Sequence, residues 1–425
     1  LLIAVILFSG FFATNIAIQG KAVYDHLFYP GSAALIFITV HIFLRRLVPR
    51  ADLIIFPTAA ALTSLGLVMI YRLQPNLAFE QLMWLCIGSA LMLLVIIFIR
   101  KYEVLASYKY SLGLIALLLL ASTMLFGKEI NGAKLWLKIG PLSFQPSEIS
   151  KILLVIFLAA FFAEKRELLS IPTHRLMGLP VPELKYFIPL LVMWGLSVLL
   201  MIFQKDLGSS LLFFGIFICM VYASTSRKSY VFVGLALFLV GAYLCYLGFS
   251  HVQIRVISWL NPFNPATIEK ESYQIAQSLF AFSSGKIAGS GLGMGYPLLI
   301  PAVSTDFIFS AVGEELGLVG SVFVVILYLI FVSRGMKIGI SARDDFGKCL
   351  AAGLTSIIAL QSFIIMGGVT RLIPLTGITL PFMSYGGSSL VANFILTGLL
   401  LVISHRSLSM NPSSIREGAG RWTVR

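Results

Sequence analysis

Of the 425 residues, 58% are hydrophobic and 12% charged, with a mean hydropathy of +0.95 and a net charge of +13. That charged fraction is about half the soluble norm, and apolar runs long enough to cross a hydrocarbon core of about 30 Å recur along the whole chain. A soluble globular protein is excluded, and the basic excess, which in a soluble chain would suggest nucleic acid, is expected first on the cytoplasmic loops of an all-α polytopic membrane protein.

The apolar pattern predicts twelve spans, near residues 1–20, 29–48, 53–72, 80–99, 108–126, 147–164, 186–204, 209–224, 229–249, 306–333, 347–368 and 387–404. With both termini in the cytoplasm, the cytosolic segments hold 20 Lys/Arg and the external ones 10, with Lys151 inside a span. The positive-inside rule supports that orientation. The first run is read as a span, because it has no basic n-region and no clear small-residue cleavage site. Cys86, Cys219 and Cys245 fall in or beside spans and Cys349 at a cytosolic helix start, so no disulfide framework is expected. The five histidines have no Cys/His partner at metal-ligand spacing. Residues 406–425 form a short basic cytoplasmic tail without an apolar pattern, expected to be disordered.

Spanning helices satisfy their own backbone, so their polar side chains and the polar external segments are the informative positions. The first such segment is Gly127–Glu148, reading GKEINGAKLWLKIGPLSFQPSE, with Lys151 one turn into the next span. Glu148 and Lys151 are spaced i, i+3, so they either pair with each other or leave Lys151 to hold a phosphate. The second is the turn Gln204-Lys205-Asp206-Leu207-Gly208, which is either a solvated connection or part of a site.

The third, His251 to Thr305, is far longer than a helix connection needs to be, and such loops are usually functional. It carries Arg255, Trp259 and the string ESYQIAQSLFAFSSGKIAGSGLGMG, whose first half has amphipathic helical spacing suited to a membrane surface. Glycines 289, 291, 293 and 295 follow no strand and make no dinucleotide fingerprint; they read as a closely packed loop. The stretch ends in PAVSTDFIFSAVGEELGLVG, where Ser304 or Thr305 is expected to cap a helix with Asp306 in its first turn. Glu314 then lies about 12 Å further along that helix, rotated about 80° from Asp306, and Glu315 lies near the opposite face. At least one of these two acids must face protein or water. Between spans eleven and twelve, TRLIPLTGITLPFMSYGGSS predicts irregular backbone covered by protein or lining a cavity.

These strings together resemble the shape, elongation, division and sporulation (SEDS) family of RodA, FtsW and SpoVE. The matching strings are NGAKLWLKIGPLSFQPSE, QKDLGSS, YQIAQS…SGKIAGSGLG, TDFIFSAVGEELGLVG and IPLTGITLPFMSYGGSS, which run from Asn131 to Ser389 in the family's order. The resemblance implies a ten-span core, here residues 51–405, with residues 250–305 as its large extracellular loop between spans nine and ten. Residues 1–50 then form an accessory N-terminal transmembrane pair. It also implies a peptidoglycan glycosyltransferase of the cytoplasmic membrane that polymerises lipid II in elongation or division and works with a class B penicillin-binding transpeptidase. Asp306 falls at the family's essential aspartate. Trp136 and Gln145 match its first-loop motif, and Glu148 and Lys151 the helix that follows. Asp206 matches the acid of a QPDLG-like motif, Arg255 a basic residue early in the large loop, and Ser384, Gly386, Gly387 and Ser388 its SYGGSS string. The chain departs where members carry Pro-Glu-x-His before Thr-Asp, having Pro301-Ala302-Val303-Ser304, and where Lys205 replaces a common Pro.

Chain extension needs a base for a sugar hydroxyl and positive charge where pyrophosphate leaves. Asp306 is the expected base. Lys151, Lys205, Arg255 and Arg371 are candidates for the charge, and a divalent cation (Mg or Mn) held by Asp206 and Asp306 is a further one. A lipid II flippase would need the same polar cavity, and a non-catalytic scaffold for a transpeptidase is the third reading. The absence of a comparable polar set on the cytosolic side favours the enzyme.

Overall fold

In a computed structural model the described residues are 2–19, 27–130, 133–139, 142–170, 174–176, 179–181 and 184–409. The N-terminal half consists of helices α1 (Leu2–Gln19), α2 (Phe28–Leu47), α3 (Ile55–Leu73), α4 (Pro75–Phe98), the one-turn α5 (Val104–Ser107), α6 (Lys109–Phe126), α7 (Pro146–Ser170), α8 (Leu184–Phe203), α9 (Leu207–Thr225) and α10 (Lys228–Gly248). The remainder is α11 (Ser250–Leu260), α12 (Tyr273–Gly285), α13 (Ile308–Glu315), α14 (Gly317–Ser341), α15 (Asp345–Val369) and α16 (Gly387–Ser409). Among the described residues ten helices are long and apolar enough to span a membrane, and α1 and α8 contribute two shorter apolar stretches. Eleven of the twelve lie at expected positions, and α14 lies later in the chain than the span expected over 306–333. The sequence marks several starts locally: Pro75 and Pro146 occupy first-turn positions, where a missing N–H costs nothing. Asp206 and Asp344 cap α9 and α15 by accepting from Ser209 N and Gly347 N.

Uniformly apolar helices are sorted by what surrounds them. α16 is 94% buried over its spanning window whereas α10 is 0% buried, so α16 is a central post and α10 lies at the periphery, packed on α9 where Phe238 stacks on Phe214. α3, α7 and α15 are also mostly buried and complete the centre with α16. α14 meets α15 at a small-residue contact: a Cβ on Gly335 would lie 2.2 Å from Thr355 Oγ1. Close backbone approach of this kind is how helices associate where no hydrophobic drive exists between them.

Three expectations change. The span expected over 306–333 is broken at Leu316–Gly317, with Gly317 at φ +65. Its two orphaned ends are satisfied by the glycine-rich loop threaded into the gap. Leu318 N and Val319 N donate to the carbonyls of Lys286 and Ile287, at 3.0 and 3.2 Å, while Ser290 N and Gly291 N donate to the carbonyls of Glu314 and Glu315, at 2.9 and 3.0 Å. Asp306 is not in a helical first turn, because α13 starts only at Ile308. The amphipathic α12 docks on protein: Ser278 Oγ lies 2.7 Å from Ser310 Oγ and donates to Val369 O at 2.8 Å. The segment after α6 forms an antiparallel three-stranded sheet, β1 (Lys128–Ile130), β2 (Ala133–Ile139) and β3 (Leu142–Phe144), for which no element was expected. The basic tail beyond residue 409 lies outside the described residues.

Candidate active site

The connections α3–α4, α6–α7, α8–α9 and α15–α16 and the long segment 249–307 meet at one end of the bundle. Asp306 sits in a turn closed on a single carbonyl: Ala302 O accepts from the backbone N–H groups of Thr305, Asp306 and Phe307 and from Thr305 Oγ1. Ala302 itself has φ +57, a left-handed conformation that a non-glycine residue adopts only when its surroundings hold it there. The SYGGSS segment supplies that hold. Ser384 Oγ donates to Thr305 O, and Tyr385 N donates to Ser304 O at 2.8 Å. Ser304 Oγ donates to Gln74 Oε1 at 3.3 Å, tying the turn to the end of α3 with a residue that departs from the family pattern.

Opposite Asp306 stands Arg255 of α11, whose Nη1 donates to Leu375 O and Thr376 O at 3.1 and 2.8 Å. Gly377, at φ +71, lies between carboxylate and guanidinium: a Cβ there would sit 3.5 Å from Asp306 Oδ2 and 3.7 Å from Arg255 Nη2. Burial pushes the Asp306 carboxyl up to about 6, with the Thr305 hydrogen bond and Arg255 opposing and Asp206 reinforcing. Asp206 is pushed up by burial, against its bonds to Ser209, with Glu148 reinforcing and Arg255 opposing. Its Oδ1 caps α9 by accepting from Ser209 N at 3.0 Å, while Oδ2 is buried without a partner. Asp206, Arg255 and Asp306 are therefore one electrostatic group. A cavity of about 220 Å³ opens on it, lined by Arg255, Ser258, Trp259, Glu271, Gln274 and Asp306 among others.

The other expected residues divide between support and surface. Lys151 is 2% exposed, 2.5 Å from Glu148 and 2.8 Å from Gln361 Oε1. Two of its three donors are thus engaged inside the protein, which with its burial favours the pairing alternative over a phosphate. Gln361 in turn donates to Thr379 O at 2.9 Å, so the Glu148–Lys151 pair supports the irregular 370–386 segment from below. Gln145 N donates to Ser388 Oγ at 2.9 Å, joining the first-loop motif to α16. A Cβ on Gly387 would lie 2.1 Å from the Trp84 ring; Gly386 N donates to Gln81 Oε1 at 3.4 Å. Trp136 lies half-buried in β2, paired across the sheet with Lys128. Lys205 is exposed at φ +60. Arg371 is exposed, and its Nε and Nη2 donate to Trp259 O and Leu260 O, both at 2.8 Å, so it caps the C-terminus of α11 rather than reaching Asp306. Among the described residues no three His, Cys, Asp or Glu gather where a metal would be held.

Three contributors were missed. Gln81 bridges α4 to the SYGGSS segment, its Nε2 donating to Ser384 O at 3.3 Å. Gln361 links Lys151 to Thr379. Arg72 donates to Glu315 at 3.0 Å and to Gly293 O and Gly295 O at 3.3 and 3.0 Å. The available signal was an amide or a charge inside or ending an apolar span.

A family model described as "Cell cycle protein", covering FtsW, RodA and SpoVE, matches residues 52–409. The chain is 45% identical over 416 residues to the peptidoglycan glycosyltransferase RodA of Mycobacterium tuberculosis (strain ATCC 25618 / H37Rv), covering 95% of this chain and 88% of that one. Among solved structures it is similar to a chain from a study of the structural coordination of polymerization and crosslinking by a peptidoglycan synthase complex, with TM-score 0.70 and 28% identity over 85% of this chain and 99% of that one. It is also similar to the rod shape determining protein RodA of Thermus thermophilus, with TM-score 0.58 and 27% identity, covering 85% and 98%.

Proposed function

The chain belongs to the FtsW/RodA/SpoVE family and is a multi-pass membrane peptidoglycan glycosyltransferase, and from that premise we propose that it polymerises lipid II with Asp306 as general base. The observation that carries the reading is the Asp306–Gly377–Arg255 arrangement: a carboxylate whose basicity burial raises, facing a guanidinium, at the mouth of a cavity. The attacking sugar hydroxyl gives its proton to Asp306 as its oxygen bonds to the anomeric carbon of the donor, and the bond from that carbon to the lipid-linked pyrophosphate breaks with its electron pair. Lys205 balances charge gathering on the leaving oxygens, while Arg255 offsets the buried Asp306 and Asp206 carboxylates. One or two carboxylates plus substrate phosphates suit a small divalent cation. Asp206, through its unpartnered Oδ2, and those phosphates would hold Mg or Mn, which would supply further charge to the pyrophosphate and leave Asp306 free as the base.

Both termini lie in the cytoplasm in this reading and the site opens outside, supported by the distribution of basic residues. A class B penicillin-binding transpeptidase is the proposed partner, supported by the similarity to a chain from a complex that coordinates polymerization with crosslinking. The test is glycan formation from lipid II by purified protein in detergent, where no second compartment exists and flipping cannot produce a signal. No polymer under any cation condition would overturn the reading.

Two outcomes are expected from the same assay. Because Asp306 acts in its ionised form and its carboxyl lies at about 6, kcat/KM should hold above that pH and fall about tenfold per unit below it; a profile flat down to pH 5 would remove Asp306 as the titrating base. Gly377→Ala should lower kcat about 10- to 100-fold, since its Cβ meets both reacting-site groups at a left-handed position and small misplacements are costly. Unchanged kcat would show that the gap tolerates a methyl group.

A further inference from the structure

The cavity beside Asp306 carries more polar groups than the mechanism uses. Ser258 Oγ is buried and has no partner, and a buried hydroxyl left in that state implies a ligand or water that satisfies it. Glu271 and Gln274, just before and within the first turn of α12, make no side-chain hydrogen bond with any described residue. Trp259 stands in the same wall with its indole held in place, Nε1 donating to Arg371 O at 3.1 Å. At about 220 Å³ the space falls below the roughly 300–1,000 Å³ of pockets that enclose drug-sized ligands, a size that suits one ring. Its charge is also informative. Arg255 is set against two carboxylates, Glu271 and Asp306, and no lysine lines it, so a pyrophosphate is repelled here while a neutral, hydroxyl-rich ring is not.

We propose that this cavity is the acceptor subsite. It seats a single N-acetylhexosamine ring, presents that ring's free hydroxyl to Asp306, and reads its other polar groups through Ser258, Glu271 and Gln274. The proposal rests on the polymerase reading for the identity of the sugar, and it puts the donor pyrophosphate on the other side of Asp306, toward Lys205. Ser258, Glu271 and Gln274 then determine specificity without being catalytic.

The experiment uses the full chain in detergent and two readouts: KM for lipid II in polymerisation, and saturation-transfer NMR with the lipid-free N-acetylglucosaminyl-N-acetylmuramic acid disaccharide. Wild-type protein should transfer saturation chiefly to the terminal N-acetylglucosamine ring. Ser258→Val and Gln274→Leu should each cut that transfer and raise KM about tenfold, the scale of one or two lost hydrogen bonds, with kcat changed far less. Ser258→Ala, which removes the hydroxyl without adding bulk, covers failure of the valine variant to fold. Unchanged saturation and KM in these variants, with wild-type protein making glycan, overturns the subsite and leaves the polymerase reading intact. Disaccharide binding that the variants weaken, in wild-type protein that makes no glycan, supports the sugar site and overturns the polymerase reading.

Discussion

Purified Asp306→Asn protein is expected to make essentially no glycan from lipid II while melting close to the wild-type temperature. Removing a positioned general base typically costs 10²–10⁴-fold in rate, or roughly 3–5 kcal/mol of barrier. The fold should survive because the turn is built from backbone: Ala302 O receives Asp306 N at 3.1 Å whatever the side chain. Arg255 is not stranded either, keeping Leu375 O and Thr376 O as acceptors. Asparagine preserves size and one acceptor oxygen, so a loss of activity reports the missing negative charge. Near-normal product from this variant would remove Asp306 from the chemistry.

The largest effect on stability is expected at a different carboxylate. Glu315 is 0% exposed, accepts from Arg72 Nε and from Gly293 N, both at 3.0 Å, and so fastens the glycine-rich loop to the end of α3. Glu315→Ala leaves the largely covered Arg72 guanidinium without its carboxylate, with only carbonyl partners, and an amide without an acceptor. Breaking a buried pair from one side typically costs about 3–5 kcal/mol. Glu315→Gln keeps an acceptor for Gly293 N and should fall between alanine and wild type. Thermal or denaturant unfolding in one detergent checks both, and a loss below about 1 kcal/mol for alanine would mean that the pair behaves as a surface ion pair.

How far the sequence reached depends on the range of the interaction concerned. The spans were legible because a helix in lipid needs about 20 apolar residues whatever it packs against. Asp206, Arg255 and Asp306 were legible as charges in external segments, and the structure brings all three together. The break at Gly317 was not, since EELGLVGSVF reads as one continuous helix and the φ of +65 is imposed by a loop some thirty residues earlier in the chain. Asp306 was expected inside a helix because Ser304 and Thr305 are good caps. Instead, Ser304 is taken by Gln74 and Tyr385, both distant in sequence. Lys151 could not be assigned from its neighbours because its second partner, Gln361, lies 210 positions away. The sheet at 128–144 did leave a trace, the alternation in AKLWLKI, which a search for helical spans passes over.

The N-terminal helix reaches this machinery near its C-terminal end. A Cβ at Gly293, φ +85, would lie 2.4 Å from Ala17 Cβ, and the neighbouring Asn15 Oδ1 accepts from Tyr71 OH at 3.0 Å. Gly293 is the residue whose amide Glu315 holds and whose carbonyl Arg72 holds. Position 17 therefore does not drift independently of the loop, and a larger residue there would press on the Arg72–Glu315 fastening. In a chimera that exchanges residues 1–50 between relatives, compatibility is decided less by the hydrophobicity of the graft than by whether its seventeenth side chain is as small as alanine.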